Sequence, residues 1–193
     1  PNSESGKFEI YCQKASEVIS SMGYGDVPPI PQYVAKADGF EATFSDFEGG
    51  VKGEYPYQMF NPRSLRSIMN SLVNVPQLQE AISNPVFMNA ADAANEGLES
   101  GDAARFTSPH GSVIRTVQAI MPGVIAIPHT GWLEYSEEHG ADMGGATNVL
   151  TGAAPTGQGT SGYNSAVVKV EKFAGDVVSD VEKPQIIIFE DGE

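Results

Sequence analysis

The chain has 193 residues, 40% of them hydrophobic and 19% charged, with 11 Lys+Arg against 25 Asp+Glu for a formal charge of −14. That suits one globular domain with a proper core, and so acidic a surface excludes nucleic acid and anionic lipid as partners, because both need a basic footprint. The single cysteine, Cys12, excludes an internal disulfide framework and any iron–sulfur or Cys-rich zinc site within the chain. No apolar run approaches the roughly 20 residues of a membrane span, so direct membrane insertion is not expected, and no signal peptide is read. Pro1 is not a natural start, so the chain is expected to be a piece of something longer.

Residues 1–54 are uneven in texture and read as an arm that leans on another surface. "GKFEIYCQKASEVISSMGYG" offers a short strand over 7–11 and a helix over about 13–22, ended by Gly23 and Gly25. "DVPPIPQYV" is Pro-rich and extended, and "ADGFEATFSDFEGGVKGE" reads as loop. From Tyr55 the pattern changes to alternating strands and turns. A strand is expected over 55–61, with Pro56 at its start or edge. "SLRSIMNSLVNVPQLQEA" reads as loop plus a helical turn. In "PVFMNAADAANEGLESGD", Asn89 can cap a short helix over 90–96, and Gly97 sits where the left-handed closing residue belongs. Strands follow over 103–108, 113–120 and 123–128, with "PHGS" a turn between the first two. Residues 140–165 read as one long Gly/Thr/Ser-rich loop, 166–173 as a strand, and 184–193 as a terminal strand with an acidic tail. Many short strands with few short helices point to a barrel or sandwich.

Within the long loop, Gly157-Gln158-Gly159-Thr160-Ser161-Gly162 matches G-x-G-x-x-G. A Rossmann fingerprint must follow a strand and open a helix. Here "NVLTGAAPT" precedes it and the alternating "YNSAVVKVEK" follows, so the context is inverted. The loop still suits ligand contact. Its glycines permit close backbone approach, Thr147, Asn148, Thr151, Ser161 and Asn164 offer neutral hydrogen-bonding groups, and backbone N–H nests hold phosphate without Lys or Arg.

Of the three histidines, His129 ends a buried-type strand "IAIP" and precedes Thr130, Gly131 and Trp132. It reads either as a hydrogen-bonded structural residue or as a site residue at a strand end. His110 reads as a turn residue and His139 as solvated. Trp132 and Tyr135 can cover a planar ligand or serve as core or rim. Arg63 and Arg66 can grip phosphate or form a plain surface pair. Cys12 reads as an inert packing thiol. There is no nucleophile–base–acid triad, zinc motif or P-loop, so no catalytic residue and no metal ligand is assigned.

The blocks "SGKFEIYCQKAS", "YPYQMFNPRSLRSIMNS", "PVFMNAADAANEGLESGDAARFTSPHGSVIRTVQAIMPGVIAIPHTGW" and "GGATNVLTGAAPTGQGTSGYNSAVVKVEK" occur in one order. That series, over roughly residues 5–173, resembles the C-terminal part of the dimethyl sulfoxide reductase family of molybdopterin oxidoreductases. The resemblance implies a mainly β fold with short helices, a six-stranded double-psi β-barrel of the aspartate decarboxylase-like kind, over 55–175. The arm over 1–54 would link it to a preceding domain, and 176–193 would be a C-terminal extension. It implies a domain of a larger catalytic subunit that binds part of a bis(molybdopterin guanine dinucleotide) cofactor carrying molybdenum or tungsten. The parent is expected to reduce an S-oxide, N-oxide or oxyanion, with electrons from an iron–sulfur partner subunit, in a periplasmic or membrane-associated complex. Cofactor contacts are implied for the loop after the first barrel strand, with Asn61, Arg63, Arg66, Met69, Asn70 and Ser71. Relatives often carry His-Ser near the end of that loop, where this chain has Met69-Asn70-Ser71. Further contacts are implied for His129, Thr130 and Trp132, for Asn148, and for Tyr163 and Asn164. The metal ligand and the cluster-binding domain would lie elsewhere, leaving this polypeptide inactive alone. The alternative is a stand-alone double-psi barrel serving as a protein-interaction module without cofactor.

Overall fold

In chain order the elements are helix α1 (Gln13–Ser21), a 3-10 turn (Phe40–Thr43), strands β1 (Phe44–Asp46), β2 (Val51–Lys52) and β3 (Tyr57–Phe60), helix α2 (Pro76–Ala81), β4 (Val86–Met88), helix α3 (Ala90–Asn95), β5 (Ala103–Ser108), β6 (Gly111–Gln118), β7 (Val124–Ala126), β8 (Tyr135–Ser136), β9 (Ala141–Asp142), a second 3-10 turn (Thr147–Leu150) and β10 (Ala166–Lys172). The computed structural model describes residues 3–23, 27–33, 35–65, 67–69, 71–73, 75–81, 84–118, 122–129, 131–153 and 165–175.

The fold is mainly β with few short helices. Eight strands form one sheet in the order β4-β7-β3-β10-β5-β6-β9-β8, and β4 pairs with β6 as well as with β7. A sheet whose end strand also reaches one of its later members must curl strongly. The longest pairing is the β5–β6 hairpin, from Ala103↔Thr116 to Ser108↔Gly111, closed by the two residues Pro109 and His110. Along β5 the side chains alternate, so Ala104, Phe106 and Ser108 are buried, as a strand with one face on a core requires. β10 is antiparallel to both β3 and β5, and Val167, Val168 and Val170 are buried on it.

The core lies inside this curl. Met59, Val86, Met88, Phe106, Val113, Ile125, Ile127, Leu150, Ala166 and Val168 are fully buried. Each large apolar side chain removed from water contributes on the order of 1.5–3 kcal/mol. The α3 expectation holds in detail. The Asn89 side chain accepts from the N–H groups of Ala91 (2.9 Å) and Asp92 (3.4 Å), and Gly97 takes φ +69° just past the end.

Four readings of the sequence need correction. Residues 7–11 form no strand: Phe8, Ile10 and Tyr11 are exposed, and no strand among the described residues pairs with the segment. α1 does form, yet buries none of its residues, and Cys12 is half-buried at its start rather than packed. Residues 37–54 are not loop but the β1–β2 hairpin, held by three edge-to-face rings, Phe40, Phe44 and Phe47, with the Lys52 ammonium 4.0 Å from the Phe44 ring centre. The stretch 140–153 is anchored by buried Ala141, Asp142, Thr147 and Leu150, and Val149 packs on the core. β4 and β8 are elements the sequence does not announce. The terminal strand over 184–193, and the G-x-G-x-x-G stretch, lie outside the described residues.

Candidate functional site

β3 and β7 run parallel, with Gln58↔Val124 and Phe60↔Ala126, so both strands finish at the same edge of the curled sheet. The chains leaving them stay paired. The Ile127 N–H donates to the Phe60 carbonyl (3.0 Å), the Asn61 side-chain amide donates to the Ile127 carbonyl (3.0 Å), and the His129 N–H donates to the Pro62 carbonyl (3.3 Å). The parallel register thus brings Asn61 and His129, far apart in sequence, onto one rim. The His129 ring adds a second bond from Nδ1 to the Pro62 carbonyl (3.1 Å). A carbonyl only accepts, so Nδ1 carries the proton and Nε2 of the neutral ring is an acceptor. That Nε2 is buried and has no hydrogen-bond partner among the described residues.

Behind this rim lies a buried cation. Arg115 of β6 is 2% exposed. Its Nη1 donates to the Pro128 carbonyl (3.1 Å) and the Gly145 carbonyl (3.4 Å), and its Nη2 donates to the Asn84 carbonyl. One guanidinium thereby holds the segments entering β4, leaving β7 and following β9. The last is held from its other side by the fully buried carboxylate of Asp142, which accepts from the N–H groups of Glu134 (2.6 Å), Gly144 (3.2 Å) and Ala146 (2.5 Å). Two glycines allow the close packing required. A side chain at Gly131 would strike the Gly145 carbonyl, and one at Gly144 would strike the Trp132 carbonyl, so these backbones lie against one another.

The sequence-derived site residues distribute as follows. Asn61 and His129 meet at the rim. Arg63 is exposed nearby, with Nη1 3.0 Å from the Met69 sulfur, and Met69 itself takes φ +55°. Ile68 and Ser71 close a tight turn by exchanging backbone hydrogen bonds of 3.3 and 2.9 Å. Trp132 is 68% exposed, with its backbone on the loop that Arg115 and Asp142 hold. Asn148 is exposed on a 3-10 turn whose neighbours Thr147 and Leu150 are buried. Arg66, Asn70, Thr130, Tyr163 and Asn164 lie outside the described residues. Tyr135 is exposed in β8. His110, in the expected turn, and His139, read as solvated, make specific contacts. His110 Nε2 is 2.9 Å from an Asp38 oxygen, and the half-buried His139 ring meets the Phe173 ring edge-on at 5.1 Å. Arg115 and Asp142 were missed. The signal available was an arginine between Val113 and Val117 at two-residue spacing, on the face of β6 that these valines bury.

Chemically the rim offers an imidazole acceptor, amide groups and an exposed aromatic, with Arg63 as a nearby cation. It suits a planar, polar ligand rather than a nucleophilic reaction. Among the described residues no group of three His, Cys, Asp or Glu could hold a metal ion, and no helix is long and apolar enough to cross a membrane.

Residues 57–167, the span from β3 into β10, match the family described as Molydopterin dinucleotide binding domain. The chain is 32% identical to a dimethyl sulfoxide/trimethylamine N-oxide reductase of Cereibacter sphaeroides, over 91% of this chain and 21% of that protein. It is 29% identical to the dimethyl sulfoxide reductase DmsA of Escherichia coli K12, over 87% of this chain and 20% of that one. The chain therefore spans about a fifth of the length of these relatives. Acetylene hydratase from Pelobacter acetylenicus shares the fold, with a TM-score of 0.58 at 22% identity, over 88% of this chain and 24% of that one. A module without cofactor gains no support from these matches. The chain belongs to the molybdopterin dinucleotide-binding domain family, in the form found in dimethyl sulfoxide and trimethylamine N-oxide reductase-like molybdoenzymes.

Proposed function

We propose that this chain is the cofactor-binding domain of the catalytic subunit of an oxidoreductase that reduces an S-oxide, N-oxide or oxyanion. In this reading it holds part of a bis(molybdopterin guanine dinucleotide) on the rim where β3 and β7 finish. One observation carries it: His129 Nε2 is buried there, aimed as an acceptor and without a partner among the described residues. A buried polar atom left unmatched is costly unless a ligand satisfies it, and a pterin presents ring N–H and amino donors on a flat frame. Asn61 flanks the same rim, Arg63 suits a phosphate, and Trp132 suits the face of a ring. The residues present therefore fit the group.

When bound, the cofactor supplies two-electron oxygen-atom transfer at molybdenum or tungsten. The chain's own part is binding and orientation, with no catalytic residue. Because β4 pairs with both β7 and β6, strands β3, β4, β5, β6, β7 and β10 form one cycle of pairings, which supports reading the curl as a closed six-stranded double-psi barrel over 55–175. Residues 1–54 are then an arm toward the rest of the catalytic subunit and 176–193 an extension. Electrons would arrive from an iron–sulfur subunit. The names of the relatives support the S-oxide and N-oxide members of that substrate class.

The test is metal analysis of the polypeptide that carries this chain, with chromatography of the pterin and guanine nucleotide it releases. The expected result is close to stoichiometric pterin dinucleotide with molybdenum or tungsten. A folded protein holding neither would overturn the reading.

A further inference from the structure

We infer that Arg115 is the positioning residue of the cofactor rim: through three backbone carbonyls it sets the place of the His129 and Gly131–Trp132 segments, and it governs how tightly the pterin dinucleotide is retained. The inference rests on the function proposed above and adds the residue that shapes the site from behind.

The geometry carries it. A guanidinium is rigid and planar, with five donors directed outward, so it fixes several acceptors at defined angles. Here the acceptors belong to three segments distant in sequence, at Asn84, Pro128 and Gly145. The Pro128 carbonyl immediately precedes His129, whose own N–H and Nδ1 go to Pro62. Any drift of Pro128 therefore moves the orphaned Nε2. The Gly145 carbonyl lies in the loop packed backbone to backbone against Gly131 and Trp132. Asp142 gathers the N–H groups on either side, at Gly144 and Ala146. The loop is thus held by its carbonyl from one side and by its N–H groups from the other. Gly145 is shaped to this role: it has φ +74°, and a side chain there would lie 2.9 Å from Arg115 Cδ. Lysine cannot substitute, because an ammonium presents its donors from a single point.

The experiment uses the full-length holoenzyme. Cofactor release is followed at a fixed temperature well below unfolding, by the fluorescence of oxidised pterin in the filtrate. Three variants are compared with wild type: Arg115→Lys, Gly145→Ala and Tyr57→Phe, the last a destabilised control at the opposite end of β3. Loss of charge-assisted bonds from a rigid donor is expected to speed release at least about tenfold in Arg115→Lys and in Gly145→Ala, with both proteins folded by circular dichroism. Tyr57→Phe should release at the wild-type rate despite a lower unfolding midpoint. If Arg115→Lys does not fold, Gly145→Ala read against Tyr57→Phe at the same loss of midpoint decides, since it keeps the guanidinium and shifts the carbonyl it holds, with the added strain of a side chain at a positive φ. Wild-type release from these two variants overturns the inference and leaves the proposed function standing. Equal release from Tyr57→Phe at the same loss of midpoint reduces Arg115 to general stability and also overturns it. A wild type devoid of pterin overturns both.

Discussion

β3 and β7 begin and finish in opposite kinds of surroundings. Where they begin, the Tyr57 hydroxyl donates to Glu96 (2.7 Å) and the Gly123 N–H donates to Asp92 (2.5 Å), so α3 is tied onto the strands by side chains that find their partners inside the chain. Where they finish, backbone carbonyls converge on Arg115, His129 keeps a nitrogen unmatched among the described residues, and Trp132 is left to solvent. The same two strands supply both ends, so the difference is one of bonding rather than of framework. Polar groups at the first end close the fold. Polar groups at the second fix the backbone of the rim and leave one ring nitrogen unmatched among the described residues.

The comparison breaks most drastically if the shared frame is removed. Phe106→Ala, in the common core, should cost about 3–5 kcal/mol in urea unfolding and abolish cofactor retention. A loss below about 1 kcal/mol would show that the two ends do not depend on a common core. At the second end, His129→Ala should lower retained pterin about tenfold at a cost of about 1 kcal/mol or less in calorimetry, because one of its ring nitrogens has no partner among the described residues to lose. A large stability loss with normal retention would make it a fold residue.

At the first end, Tyr57→Phe should cost about 1 kcal/mol and leave retention unchanged. Burial first, then the hydrogen bond and charge of Glu96 and the charge of Asp92, hold the Tyr57 phenol well above its usual value of 10.0. A group whose value rises on folding contributes stability that is fully present below its unfolded value and is lost as pH climbs toward the folded one. The stability gap between wild type and Tyr57→Phe should therefore be steady at neutral pH and shrink above about pH 10. A gap that widens there would contradict the assignment. The smallest effect belongs to the α3 cap: Asn89→Ala should lower the unfolding free energy by about 0.5–1 kcal/mol, with no change at the rim.

The regular parts of this contrast were readable from residues. β5 and β6 alternate and are joined by a tight turn, β10 carries a run of valines, and Asn89 and Gly97 frame α3. β4 was not readable, since three residues between Pro85 and Asn89 cannot display a period. The β1–β2 hairpin hid because its stability comes from rings meeting edge-on rather than from alternation. The strand expected over 7–11 finds no pairing partner among the described residues, and a strand without one is not formed. At the site, strand ends and family blocks pointed to Asn61 and His129. Arg115 escaped because its importance lies in three carbonyls, and carbonyls have no letter in a sequence.

The place of β10 sets an order in time. It lies between β3 and β5, with Ala166 opposite Met59 and Lys172 opposite Ala104. About a hundred residues of chain separate it from the strand it covers, a long-range closure of the kind that folds slowly. During synthesis β3 and β5 must wait with bare edges until this late strand has left the ribosome, and bare edges invite pairing with the wrong chain. Ala166 of β10 pairs with Met59, one residue before the end of β3, so the sheet that carries the rim is closed only once this late strand is in place.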